Sequence, residues 1–201
     1  MALPSVDSAQ RNRLLKDVLK GVSRSFYLTI RILPKNLREP VGLAYLLARA
    51  ADTIADRRRA GFSGEWWQSL ATLRTQVSGP ANLEVLQRIA SQMIEVDPSP
   101  QEQALFESLA DTFSLLESLE PEDREQVRWV VMTLIQGMEM DLTVFSTDGS
   151  EELTPLATAG DLDRYIYLVA GCVGEFWTKV TAAHEPSLKD WDVAHMSEMG
   201  V

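Results

Sequence analysis

The sequence predicts an all-α protein, and three observations support this fold class. No stretch sustains the alternation of apolar and polar residues that marks a half-buried strand. Apolar residues instead recur at helical spacing between breaks rich in Gly, Pro, Ser and Asp. The chain of 201 residues is 45% hydrophobic and 24% charged, as in an ordinary globular domain. This length favours one domain over residues 1–201 rather than two.

The breaks set the predicted helix boundaries. Turn residues lie at Pro34, Gly61 to Gly64, Gly79-Pro80, Asp97 to Pro100, Pro121, Ser146 to Thr154 and Pro186. Glu122 and Asp123 follow one of these breaks directly, where the positive end of a helix dipole favours acidic side chains. The predicted helices cover residues 8–21, 23–31, 35–58, 63–77, 81–96, 100–118, 122–143, 160–183 and 187–200.

Charge and composition exclude several classes of protein. The net charge of −10 argues against nucleic acid as a partner, because no basic surplus is available to neutralise phosphates. Cys172 is the only cysteine, so an internal disulfide is excluded, and one cysteine with two histidines argues against a zinc site. No run of about 18 apolar residues occurs, and the first residues lack the order of a secretory signal. We therefore expect a cytoplasmic protein, with a peripheral membrane contact left open.

One segment combines an apolar helix with charged residues on a single side. On a helix of about 100° per residue, Tyr45, Arg49, Asp52 and Asp56 fall within about 60° of one another. The other faces between residues 41 and 55 are apolar, which is typical of a buried helix, where charges must be paired or bound to a cation. Both carboxylates can reach one ligand, and two oxygen donors suit Mg²⁺ bridging to phosphate. A solvated face with an intrahelical Arg–Asp pair is the alternative.

Three other segments carry polar or small residues. Ser23-Arg24-Ser25 offers two hydroxyls and a guanidinium near a helix start, where an anion could bind; a capping serine beside a surface arginine is the alternative. Gly137 lies one turn before Asp141, so a small gap adjoins a carboxylate. The run from Ala170 to Gly174 contains two glycines, each costing about 1 kcal/mol against alanine in a helix. That cost indicates close approach of either a neighbouring helix or a long hydrocarbon ligand.

Together and in this order, four segments resemble the squalene and phytoene synthase family, and the resemblance extends from about Val22 to the C-terminal residue. They are SRSF at 23–26, YLLARAADTIAD at 45–56, GMEMD at 137–141 and YIYLVAGCVGE at 165–175. The resemblance implies a helical bundle of the isoprenoid synthase type around a deep apolar cavity. It also implies Mg²⁺-dependent, head-to-head condensation of two farnesyl diphosphates, followed by reduction with NADPH to squalene.

The resemblance also implies roles for individual residues. Asp52 and Asp56 correspond to a first aspartate-rich motif that holds diphosphate through Mg²⁺, and Tyr165 to a catalytic tyrosine of the rearrangement. The residues implied near the diphosphate are Ser23, Arg24, Ser25 and Arg49. The residues implied along the prenyl channel are Phe26, Tyr45, Met138, Asp141, Gly171 and Gly174.

Several alternatives stay open from the sequence. Phytoene or dehydrosqualene synthase differs from squalene synthase in substrate length or in reduction. A non-catalytic prenyl-diphosphate-binding member of the same fold, and a generic helical interaction protein, are further alternatives. The sequence leaves the oligomeric state and the exact product undetermined.

One departure from the family pattern concerns the second aspartate-rich motif, which the resemblance places after the segment at 165–175. Between Gly174 and Val201, Asp190 and Asp192 are only two residues apart, and no arginine occurs. We therefore expect this chain to be the N-terminal part of a longer enzyme, with the activity of the 201 residues themselves in doubt.

Overall fold

The computed structural model describes residues 3–23, 25–59, 66–95, 97–144, 156–188 and 190–200. Within these ranges every regular element is a helix, which confirms the predicted all-α fold class. The predicted loops at 61–64 and 146–154 lie outside the described residues.

The described parts of the first half of the chain form helices joined by short breaks. Asp7 opens α1 with a capping box to Gln10, which satisfies backbone N–H groups that a helix start leaves unpaired. The elements are α1 (Ser8–Asn12), a π-helical stretch (Arg13–Val18), α2 (Leu19–Ser23), α3 (Phe26–Ile32), α4 (Lys35–Arg59), α5 (Trp66–Ser78), α6 (Leu83–Ile94), α7 (Pro100–Glu107) and α8 (Leu109–Ser118).

The second half begins with a long helix that packs along α4. Its elements are α9 (Pro121–Val144), α10 (Ala159–Ile166), a π-helical stretch (Tyr167–Gly171), α11 (Cys172–His184), a 3-10 turn (Pro186–Leu188) and α12 (Val193–Gly200). Thr158 opens α10 with a capping box to Asp161. These caps explain why helices begin at these residues.

Two kinds of local geometry depart from the prediction. The predicted helix at 100–118 is divided at Ser108, whose φ of −95° and ψ of 6° separate α7 from α8. The predicted helices at 8–21 and 160–183 each contain a π-helical stretch. A hydrophobic pattern read at 3.6 residues per turn does not distinguish one wider turn from an α-helical one.

The core surrounds α4, which packs most extensively against α9 and also against α5, α8 and α11. Leu43, Leu46, Leu47, Ala50 and Ala51 on α4 are fully buried, as the apolar pattern predicts. Burial of one leucine side chain stabilises a fold by about 1.5–3 kcal/mol, so this helix is a principal source of stability. It also fixes the orientation of the charged stripe on its remaining side.

In the parts of the chain that the structure describes, no helix combines the length and the apolar composition needed to cross a membrane.

Candidate active site

The charged stripe on α4 opens toward solvent on one side of an otherwise buried helix. Arg49 Nη1 lies 2.6 Å from Asp52 Oδ2, and the two side chains are 34% and 43% exposed. Asp56, one turn further on, is exposed. The expectation that these carboxylates are buried is therefore corrected: the stripe is half-exposed and includes the intrahelical ion pair that was the alternative interpretation. Both carboxylates are nevertheless accessible to a ligand from outside.

The Ser23-Arg24-Ser25 segment lies between α2 and α3. Ser23 is buried, and its hydroxyl donates to the carbonyl oxygen of Leu19 at 2.5 Å. This geometry does not support the predicted contact between Ser23 and a diphosphate, because the hydroxyl is turned into its own helix. Ser25 is exposed and precedes α3, so its role stays a prediction. Arg24 lies outside the described residues.

An apolar groove adjoins the stripe, with a volume of about 390 Å³. Its lining residues come from α3, α4, α9 and α11: Phe26, Thr29, Ile30, Leu33, Val41, Ala44, Tyr45, Ala48, Val130, Leu134, Val173, Phe176 and Trp177. The rings of Phe26 and Tyr45 lie 6.0 Å apart and form one edge of the groove. Since Tyr45 also lies on the charged stripe, the polar and apolar parts of the candidate site meet along α4.

Two further predicted residues are joined by a hydrogen bond. The Tyr165 hydroxyl donates to Asp141 Oδ1 at 3.0 Å, which connects α10 to the end of α9. Both side chains are half-buried. Met138, one turn before Asp141, is also half-buried and packs against the core. The structure thus brings the predicted tyrosine and carboxylate together, while their catalytic and channel roles stay predictions.

The two glycines predicted to line the prenyl channel lie at the start of α11 and just before it. A Cβ atom built on Gly174 would lie 1.8 Å from the carbonyl oxygen of Gly200, so this glycine permits α12 to pack directly on α11. Gly171 is buried in the π-helical stretch. Gly174 thus packs against α12, and its role in a prenyl channel stays a prediction. Val173, Phe176 and Trp177 of the same helix form the groove wall.

Glu102, which was not predicted from the sequence, lies beside the charged stripe. Its carboxylate accepts hydrogen bonds from the Ser99 backbone N–H and hydroxyl, and its Oε2 lies 3.8 Å from Arg57 Nη2. Burial alone would raise the pKa of Glu102, but the Ser99 hydrogen bonds and the charges of Arg57 and Arg49 outweigh it and lower the pKa. The Ser-x-x-Glu capping pattern at 99–102 was the available signal.

A second polar network lies behind the groove. The Tyr167 hydroxyl donates to Glu175 at 2.7 Å, and Lys179 pairs with Glu175 at 2.6 Å while lying 4.6 Å from the centre of the Trp129 ring. Burial, and then the hydrogen bond to Glu175 and its charge, raise the pKa of Tyr167 to about 12. Tyr167 therefore keeps its proton at neutral pH and serves to tie the π-helical stretch to α11.

The donor set at the stripe fits one class of metal ion. Among the described residues, no group of three or more His, Cys, Asp or Glu side chains is arranged to hold a metal ion. A site on Asp52 and Asp56 would therefore offer two carboxylates. Mg²⁺ is commonly held by one or two carboxylates together with water and phosphate oxygens, so these residues fit it when a phosphorylated ligand completes the shell.

The fold and the site define a class: an all-helical protein in which two carboxylates and an arginine on one helix adjoin an apolar groove. A family described as squalene/phytoene synthase matches residues 19–201. The chain belongs to the squalene/phytoene synthase family, whose members are prenyltransferases of isoprenoid biosynthesis.

Named relatives include both branches of the family. Squalene synthase BSS of Botryococcus braunii is 27% identical over 160 residues, which cover 79% of this chain and 30% of that protein. A bifunctional lycopene cyclase/phytoene synthase of Sporisorium reilianum is 26% identical over 183 residues, covering 81% of this chain and 24% of that protein. The chain thus spans a minority of the length of these curated relatives.

Solved structures share the fold. The structure of TcSQS in complex with the ligand BPH1237 matches with a TM-score of 0.59 and 24% identity. The match covers 96% of this chain and 51% of that one. This likeness confirms the helical bundle of the isoprenoid synthase type that the sequence predicts.

Proposed function

We propose that the protein acts in the head-to-head condensation of two farnesyl diphosphates to presqualene diphosphate, with release of one diphosphate. Reduction of this intermediate by NADPH then gives squalene with release of the second diphosphate. The observation that carries this proposal is the continuity of α4, which places Arg49, Asp52 and Asp56 on one stripe directly beyond the groove residues Tyr45 and Ala48. A ligand with an anionic head and a long hydrocarbon tail matches such a surface.

The residues of the site would divide the work between head and tail. Asp52 and Asp56 would hold Mg²⁺, which supplies positive charge to a departing diphosphate. Arg49 would bind diphosphate oxygens, because a guanidinium offers paired donors in a fixed plane. Phe26, Tyr45 and the other groove residues would exclude water from the prenyl chain, which protects an allylic cation from hydrolysis.

Tyr165 has a supporting role in this proposal. Its hydroxyl is oriented by the hydrogen bond that it donates to Asp141 Oδ1. A positioned hydroxyl of this kind could hold or move a proton during the rearrangement.

A phytoene or dehydrosqualene synthase is the second candidate, because both squalene and phytoene synthases are among the relatives. Incubation of the protein with Mg²⁺ and either farnesyl diphosphate or a longer prenyl diphosphate, with and without NADPH, separates the two by product. Squalene formed only with NADPH supports the first candidate. Dehydrosqualene, or condensation of a longer diphosphate, supports the second. Binding without any product supports a non-catalytic member of the family.

The metal assignment has its own test. Asp52→Ala should lower the Mg²⁺-dependent affinity for farnesyl diphosphate by at least about tenfold, since one of two carboxylate ligands is lost. Asp17→Ala is the matched control, because Asp17 is an exposed aspartate on the π-helical stretch before α2. Isothermal titration with and without Mg²⁺ measures both variants. Unchanged binding by Asp52→Ala would show that the metal lies elsewhere.

A further inference from the structure

Glu102 stands out because it places a third acidic group beside the basic residues of the site. The residue belongs to α7, whereas Arg49 and Arg57 belong to α4, so the contact depends on the packing of two helices. Arg57 immediately follows Asp56, and its side chain is only 15% exposed; that of Glu102 is 24% exposed. A pair this sheltered is screened by solvent less than a pair on an open surface.

The carboxylate of Glu102 is held in place from its own helix. Ser99 donates to it through both its backbone N–H at 2.9 Å and its hydroxyl at 2.8 Å. The side chain therefore cannot rotate freely away from Arg57, which lies 3.8 Å away. A fixed negative charge thus faces a guanidinium one residue beyond the proposed Mg²⁺ ligands.

The start of α7 also lies close to the other predicted anion-binding segment. The side chain of Gln101 lies 3.5 Å from where a Cβ atom on Gly21 would be, and Gly21 is two residues before Ser23. Glu102 therefore lies near the stripe on α4, and its neighbour Gln101 lies beside the end of α2. A diphosphate bound between these elements would bring negative charge into the surroundings of Glu102.

We propose that Glu102 is a built-in counter-ion, which holds Arg57 beside the stripe when no diphosphate is bound and competes with the diphosphate for this guanidinium. The inference rests on the proposed function, since it assumes a diphosphate at Arg49, Asp52 and Asp56. Guanidinium groups bind phosphate oxygens in the same paired geometry that they use for carboxylates, so one anion can replace the other. Glu102 is a positioning residue: it sets where Arg57 lies and weakens the affinity for diphosphate.

The test uses inorganic pyrophosphate with Mg²⁺, measured by isothermal titration on the whole chain. Glu102→Gln removes the charge and keeps a side chain that completes the capping box with Ser99. It should bind pyrophosphate about 3- to 10-fold more tightly, and the gain should shrink as salt is raised. In an Arg57→Gln background, the same substitution should give no gain, because the guanidinium that Glu102 opposes is absent.

A control variant separates this effect from a change of net charge. Glu107→Gln makes the same change of net charge on the same helix, at an exposed residue that accepts a hydrogen bond from Gln103. It should bind pyrophosphate as the parent protein does. Tighter binding by this variant would trace the gain to net charge, and would overturn the proposal.

The remaining outcomes distinguish this inference from the proposed function. If the parent protein binds pyrophosphate, Asp52→Ala weakens that binding and Glu102→Gln leaves it unchanged, only the counter-ion proposal fails. The counter-ion proposal alone also fails if Glu102→Gln still tightens pyrophosphate binding in the Arg57→Gln background. If neither the parent protein nor Glu102→Gln binds pyrophosphate, the diphosphate site itself fails, and the counter-ion proposal fails with it.

Discussion

Tyr165 and Asp141 are far apart in the sequence, yet their side chains meet at a hydrogen-bond distance of 3.0 Å between α10 and α9. A hydrogen bond to a charged acceptor contributes about 1.5–3 kcal/mol, and partial exposure places this pair toward the lower end. The bond matters to the site because it fixes the orientation of a tyrosine that neither helix alone would hold. Its contribution can be isolated only by removing the partners separately and together.

We predict that Tyr165 and Asp141 are energetically coupled. In a double-mutant cycle of Tyr165→Phe and Asp141→Ala, the free energy of unfolding in urea should show a coupling of about 1 kcal/mol. Tyr167→Phe is the matched control, because Tyr167 lies two residues further on and donates to Glu175 instead. It should combine additively with Asp141→Ala. Additive behaviour of both tyrosines would mean that the Tyr165–Asp141 hydrogen bond does not persist in solution.

At the scale of elements, close helix packing depends on individual glycines. A Cβ atom on Gly137 of α9 would lie 2.9 Å from Val169 Cγ1 and 3.1 Å from the backbone of Leu168. The π-helical stretch therefore approaches α9 more closely than a side chain at this position permits. Gly21 of α2 differs, because a Cβ atom there would meet only the Gln101 side chain, at an ordinary 3.5 Å.

We predict opposite effects of alanine at these two glycines. Gly137→Ala should lower the free energy of unfolding by about 1–3 kcal/mol, because the backbone of Leu168 cannot move aside cheaply. Gly21→Ala should leave stability unchanged or raise it by up to about 1 kcal/mol, through the better helix propensity of alanine. Urea unfolding of both variants measures the difference. Equal effects would show that the contact between α9 and the π-helical stretch is looser than described.

Residue spacing predicts features within one helix, but it does not predict which other helix packs against them. The apolar pattern of α4 is local, so its burial and its charged stripe follow from residue spacing alone. The contact between Gly174 and Gly200 depends on how α12 returns to α11, and the run of small residues left a neighbouring helix and a hydrocarbon ligand as alternatives. The pair of Glu102 with Arg57 likewise requires α7 to pack beside α4. Spacing within one helix carries no information about such partners.

At the scale of the whole molecule, the second half presents a long apolar seam to solvent. It follows α10, the π-helical stretch and α11 at intervals of three or four residues, and each member is between 38% and 49% exposed. The seam consists of Leu162, Ile166, Val169, Val173 and Trp177. Val173 and Trp177 also line the apolar groove, so the two surfaces are continuous. Contiguous apolar surface of this kind is typical of an interface, and it promotes association in water.

We predict that the protein self-associates through the apolar seam. Its net charge of −10 opposes association, so added salt should screen the repulsion and increase the sedimentation coefficient at a given protein concentration. Leu162→Glu combined with Ile166→Glu places charge in the seam at exposed residues, and should reduce the association at least about tenfold at little cost in stability. Sedimentation velocity over a range of concentrations measures it.

The matched control for the seam is Leu28→Glu combined with Ile32→Glu, which adds the same two charges on α3 at residues that are 69% and 81% exposed and lie outside both the seam and the groove lining. It should leave the salt-dependent association nearly as in the parent protein, because two charges added away from the seam change the overall repulsion only slightly. A comparable loss of association in this variant would assign the effect to net charge. A parent protein that stays monomeric at high salt and high concentration would show that the exposed seam is too small or too curved to bind a second copy.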